Sequence, residues 1–103
     1  MKILNLERGQ GKTTFLIMQS HLTGYPILTY NEGAKNNIVD KAKRMNLLIP
    51  TPLTVEDLLT NQNKDYSFKK ILVDEMPIVF NYLLSKLGNY DVDTATMTAY
   101  KLT

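Results

Sequence analysis

The chain has 103 residues, 44% hydrophobic and 21% charged, with no cysteine and one histidine. These proportions suit one small globular domain and exclude a disordered tail, a disulfide scaffold and a thiolate metal site, so any bound metal is expected on oxygen ligands. A net charge of +2 is far from the dense positive stripe of a dedicated nucleic-acid binder. No apolar run approaches the roughly 20 residues of a membrane span. Met1 to Leu6 is too short and too quickly polar for a signal peptide, which makes the cytoplasm the expected compartment.

In chain order, Lys2 to Leu6 alternates as one short strand before Glu7-Arg8-Gly9-Gln10-Gly11 breaks it. Phe15, Leu16, Met18 and Leu22 then mark an apolar helix face running from Lys12 to a stop at Thr23-Gly24. Ile27 to Tyr30 reads as a second buried strand, and Asn31 as the N-cap of a helix with Ala34, Ile38, Ala42 and Met45 on one side. Leu47 to Leu53, interrupted by Pro50 and Pro52, is a packed connector that ends in a very short strand. Thr54-Val55-Glu56-Asp57 has capping-box character and opens a short helix through Leu59, after which Asn61 to Lys64 is a surface loop. Ile71 to Val73 is expected to be a fully buried strand ending in Asp74 and Glu75, followed by a helix from Met76 to Leu87 with Pro77 in its first turn and Gly88 closing it. Asp91 to Thr98 is the last expected strand. Alternating strands and helices predict an α/β fold, a parallel sheet with helices against it, in one domain spanning residues 1–103. Ligands of such folds sit at the carboxyl ends of the strands, where both "RGQGKTT" and "DE" fall.

A strand that feeds a glycine loop and then a helix opening in Lys-Thr is a means of holding polyphosphate. Gly9 and Gly11 free the backbone to turn its N–H groups toward phosphate oxygens, and the helix from Lys12 adds its positive end. Arg8, Gly9, Gln10, Gly11, Lys12, Thr13 and Thr14 are the candidate nucleotide-binding residues. Lys12 is expected to reach the β- and γ-phosphates, Thr13 to ligate Mg²⁺, and Thr14 to add an N–H to the α-phosphate. Asp74 is expected to hold the magnesium through its waters, and Glu75 to orient the attacking water as a catalytic residue beside Lys12.

With these residues the chain resembles a P-loop NTPase, Gly9-Gln10-Gly11-Lys12-Thr13 standing as Walker A and Ile71-Leu72-Val73-Asp74-Glu75 as Walker B. The Asp-Glu pair is similar to that of the additional-strand, catalytic-glutamate division, which includes AAA+, RecA-like and helicase proteins. The resemblance covers most of the chain but only the first half of a typical domain of that family. It implies a three-layer α/β/α core with about four parallel strands in the order 2-3-4-1, counting Lys2–Leu6, Ile27–Tyr30, Ile71–Val73 and Asp91–Thr98. It further implies ATP and Mg as cofactors, a small ATPase connected with DNA metabolism or helicase-like machinery, and a γ-phosphate sensor at Thr96 or Thr98 in "TATMT". Short P-loop chains of this kind resemble ones encoded by bacteriophages, which places the protein in the host cytoplasm. One departure stands out: the family pattern has Gly or Ala where this chain has Leu6.

Several features have plainer explanations. His21 suits a helix C-terminus, Asn31 suits a cap, and Glu75 in the first turn of a helix suits the dipole. The aromatics and lysines of Lys64 to Lys70, with the basic face of the second helix, make single-stranded DNA a candidate partner, against a solvated surface as default. A competing function is a nucleotide-binding regulatory or interaction protein with little turnover, docked on a larger ATPase. After "TATMT" only five residues remain, so a homo-oligomer or a protein partner is expected to cover the sheet edge and complete the site. With Arg8 and Arg44 its only arginines, the chain fits a nucleotide kinase poorly, and an arginine finger is expected from a neighbour. A GTPase is disfavoured, since no Asn-Lys-x-Asp motif is present.

Overall fold

The computed structural model describes residues 11–60, 70–94 and 96. The expected strand Lys2–Leu6, the loop Asn61–Lys64 and the end of the "TATMT" stretch lie outside the described residues. Within them the elements are α1 (Lys12–Thr23), β1 (Ile27–Thr29), α2 (Glu32–Arg44), β2 (Leu53–Thr54), α3 (Val55–Thr60), β3 (Leu72–Val73) and α4 (Met76–Gly88). Local chemistry sets most of these limits. Gly24 takes a left-handed φ of 76° and returns its N–H to the Ser20 carbonyl, ending α1 where an L-residue would be strained. Asn31 Oδ1 accepts from the Ala34 N–H at 2.9 Å and starts α2. Thr54 Oγ1 accepts from the Asp57 N–H at 3.0 Å while Asp57 Oδ2 accepts from the Thr54 N–H at 2.9 Å, a reciprocal capping box that opens α3.

The three strands form one parallel sheet in the order β2-β1-β3. In register, Leu28 lies beside Leu53 on one side and Val73 on the other, and Ile27 lies beside Leu72. Successive residues of β1 point to opposite faces, and each face carries its own cluster. Ile27 packs with Ile17 of α1 and Ile38 and Ala42 of α2, whereas Leu28 packs with Val55 of α3 and Val79 of α4. Helices therefore flank both faces of the described sheet. Ile17, Ile27 and Ile38 are essentially solvent-free, and each such side chain contributes about 1.5–3 kcal/mol by leaving water.

Three expectations are corrected. The strand at Ile27 is not at the sheet edge, because Leu53–Thr54 pairs outside it and makes it the central strand of the three; its adjacency to Leu72–Val73 is as the expected order has it. Ile71–Val73 is not fully buried: Ile71 is 38% exposed and only Leu72 and Val73 form strand, since among the described residues β3 pairs on one side only. Residues 91–94 and 96 form no strand. There the Asn81 side chain of α4 accepts the Val92 N–H at 2.9 Å, a backbone donor that a ladder would use. The helix before them closes one residue later than expected, with Asn89 rather than Gly88 in the left-handed conformation.

Candidate functional site at the carboxyl ends of the strands

The site assembles where α1 begins and β3 ends. Gly11 precedes α1 with φ 80° and ψ 22°, a conformation closed to most L-residues, and its carbonyl accepts the Phe15 N–H at 2.9 Å. Among the described residues no side chain caps α1, and its first turn carries Lys12, Thr13 and Thr14 at the positive end of the helix. At the end of β3 the Asp74 N–H donates to the Leu28 carbonyl at 3.0 Å, which carries the ladder one residue further and fixes the Asp74 backbone. Asp74 is buried at 8% exposure.

One hydrogen-bonded ion pair joins the separated motifs. Lys12 Nζ donates to Glu75 Oε1 at 2.9 Å across 63 positions of sequence, with 27% and 38% of the two side chains exposed. Burial raises the Asp74 carboxyl above its ordinary value and the neighbouring Glu75 charge raises it further, while Lys12, the nearby Thr13 side chain and Lys41 oppose the shift. A carboxyl raised in the folded state favours folding below its unfolded pKa and loses that contribution as pH rises through the folded value. Asp74→Asn is therefore expected to raise the melting temperature at pH 7, with the gain shrinking as pH falls toward 3. Thermal unfolding at several pH values measures this, and an Asp74→Asn protein less stable than wild type at pH 7 contradicts the assignment.

Glu75 adopts φ 58° and ψ 59° at the N-cap of α4 without capping it through its side chain. The other non-glycine residues with positive φ among those described are asparagines, which tolerate it; a glutamate there costs about 1–2 kcal/mol. Such strain persists where surrounding structure over-determines it, commonly at functional positions. The turn aims Glu75 back toward α1 rather than along α4, where a plain dipole partner would lie.

Thr29 is a residue that motif reading passes over. One register step beyond the Leu28–Val73 pair, the carboxyl end of β1 sets Thr29 beside Asp74. Ile27 and Leu72 share the α1 face, and side chains two residues on point the same way, so Thr29 and Asp74 share it as well. The Thr29 side chain is fully buried and its hydroxyl has no hydrogen-bond partner among the described residues, a state that costs about 1–3 kcal/mol. Only the strand register reveals this placement; in sequence the residue is an ordinary β-branched member of "ILTY".

The remaining candidates are spread more widely. Arg8, Gly9, Gln10 and Thr98 lie outside the described residues; Thr14 is partly buried in the first turn of α1, and Thr96 is exposed. His21 sits in the last turn of α1 with Nδ1 2.7 Å from the Leu48 carbonyl, tying α1 to the connector before β2. Asn31 is engaged as a helix cap. On the α3/α4 side of the same strand ends an open hollow of about 370 Å³ is lined by Tyr30, Thr54, Asp57 and Tyr82, among others; Asp57 is held below its usual pKa by the Thr54 N–H in the capping box and by Lys35.

As oxygen donors, the buried Asp74 carboxylate and the Thr13 hydroxyl suit a small hard cation, and Lys12 beside them suits an anion. No helix among the described residues is long and apolar enough to cross a membrane. No family model matches the chain, and neither a curated protein nor a solved structure resembles it significantly.

Proposed function

We propose that the chain binds ATP with Mg²⁺ at the carboxyl ends of its strands and hydrolyses it as a small P-loop ATPase connected with DNA metabolism. The observation that carries this reading is the meeting of the Gly-Lys-Thr start of α1 with the Asp-Glu end of β3, expressed in the Lys12–Glu75 pair at 2.9 Å. Chance similarity in a glycine-containing loop does not require its lysine to contact a carboxylate 63 residues away.

In this reading the Gly11 backbone and the N-terminal end of α1 receive the phosphates, and Lys12 leaves Glu75 to meet the β- and γ-oxygens. Thr13 and Asp74 hold the cation, Asp74 through its hydration shell; when bound, the cation neutralises charge developing on the phosphate oxygens. Glu75, released from Lys12, accepts a proton from the attacking water and orients it. Arg8, Gly9, Gln10 and Thr14 are the further candidate phosphate contacts, and Thr96 or Thr98 the candidate γ-phosphate sensor.

A second reading, a nucleotide-binding interaction protein with little turnover, draws on the outer side of α4. Phe80 and Leu87, two turns apart on one flank of α4, stand 52% and 63% exposed, an apolar strip of the kind that partners cover. A homo-oligomer or a protein partner covering that face fits both readings. Isothermal calorimetry with ATP, ADP and GTP, with and without Mg²⁺, tests nucleotide binding. Phosphate release, alone and with single-stranded DNA, then separates ATPase from interaction protein: saturable Mg-ATP binding without turnover above a Lys12→Ala control selects the second.

A further inference from the structure

The orphan hydroxyl of Thr29 is the one buried polar side-chain group among the described residues without a partner. The β1–β3 register, carried one step past Leu28–Val73 by the Asp74 N–H on the Leu28 carbonyl, brings it beside Asp74 on the face of the sheet that α1 covers. A buried, unsatisfied group in a folded protein calls for an explanation, and water or an ion is a usual one. Packing alone does not supply it, since valine has nearly the same shape and no hydroxyl to desolvate. A cation of the magnesium type dehydrates reluctantly and brings several waters with it, each a strong hydrogen-bond donor.

We propose that Thr29 is a positioning residue of the cation site, its hydroxyl oxygen accepting a hydrogen bond from a water of the divalent ion held between Thr13 and Asp74. The inference rests on the nucleotide-magnesium reading and adds a member that neither sequence motif contains. Asp74 directly follows β3 and Thr29 ends β1, so the register of two adjacent strands would bring both residues to the ion's waters.

The test uses Mn²⁺ as probe, its uptake followed by electron paramagnetic resonance in the presence of a non-hydrolysable ATP analogue. Thr29→Val is expected to weaken Mn²⁺ affinity in the nucleotide complex about tenfold, as loss of an outer-shell partner does. Affinity for the analogue without metal should not change, and the melting temperature should stay level or rise. Thr29→Ser should restore Mn²⁺ affinity, and Thr29→Ala, which also lacks the hydroxyl, should follow Thr29→Val. The proposal is overturned if Thr29→Val and Thr29→Ala hold Mn²⁺ as wild type does, if Thr29→Ser is as weak as they are, or if metal-free analogue binding falls equally. If wild type takes up the analogue neither with nor without metal, the nucleotide reading itself fails and takes this inference with it; normal wild-type uptake with unaltered variants removes the Thr29 role alone.

Discussion

Glu75→Gln is expected to lower Mg-ATP turnover at least about 100-fold while leaving nucleotide binding as tight as wild type or slightly tighter. The first effect follows from losing a base that takes a proton from water, a contribution of about 10²–10⁴ in rate. The second follows from the ligand-free arrangement, in which Glu75 holds Lys12 at 2.9 Å. Phosphate has to displace that carboxylate, and a glutamine amide competes less well for an ammonium. Because the pair is about a third exposed, it is worth no more than about 1 kcal/mol, which limits the affinity gain to roughly fivefold. Phosphate-release kinetics and calorimetry on the same preparations measure both quantities. If Glu75 were only a partner for the α4 dipole, the variant would lose a little stability and keep its turnover, and that outcome removes Glu75 from the mechanism.

Lys12→Ala is expected to weaken Mg-ATP binding about 100-fold, a loss of about 2.7 kcal/mol, with little change in the fold. An ammonium-to-phosphate hydrogen bond is charge-assisted and stronger than a neutral one, and the start of α1 offers no other cationic side chain in its first turn. The alanine also leaves Glu75 without its partner, but that side chain is 38% exposed and water replaces the lost contact at small cost. Lys12→Arg separates charge from shape, since a planar guanidinium keeps the charge but does not occupy the compact position of an ammonium; it should bind more weakly than wild type and more tightly than Lys12→Ala. Titration of the three proteins with Mg-ATP decides the matter. Equal affinities across the series would mean that the Gly-Lys-Thr turn holds no phosphate.

These two residues differ in how readily they could be read from sequence. Lys12 follows Gly11 directly, and the motif names it without any structure. Glu75 is named only as one of two adjacent carboxylates, and helix-dipole stabilisation explains its position equally well until its left-handed backbone and its reach to Lys12 are seen. Thr29 could not have been named at all. Residues 91–94 and 96 of the strand expected at Asp91–Thr98 are not in a strand for a related reason: "DVDTATMT" has β-branched residues suited to a strand, but strand formation depends on a neighbour to pair with, and the Asn81 side chain takes up the Val92 N–H instead.

What the sequence determined by itself is whatever is decided within three or four residues. The stop of α1 at Gly24, the Asn31 cap of α2 and the Thr54–Asp57 box of α3 each rest on a hydrogen bond between close neighbours in the chain, available before any packing. The tertiary structure alone decided that Leu53–Thr54 pairs outside Ile27–Thr29, that Thr29 stands beside Asp74, and that Lys12 meets Glu75. A parallel strand offers the same donors and acceptors along both of its edges, so its backbone does not choose its neighbours. That choice is made by which apolar faces bury together, here Ile27 with α1 and α2 and Leu28 with α3 and α4, and every lateral contact in the candidate site follows from it.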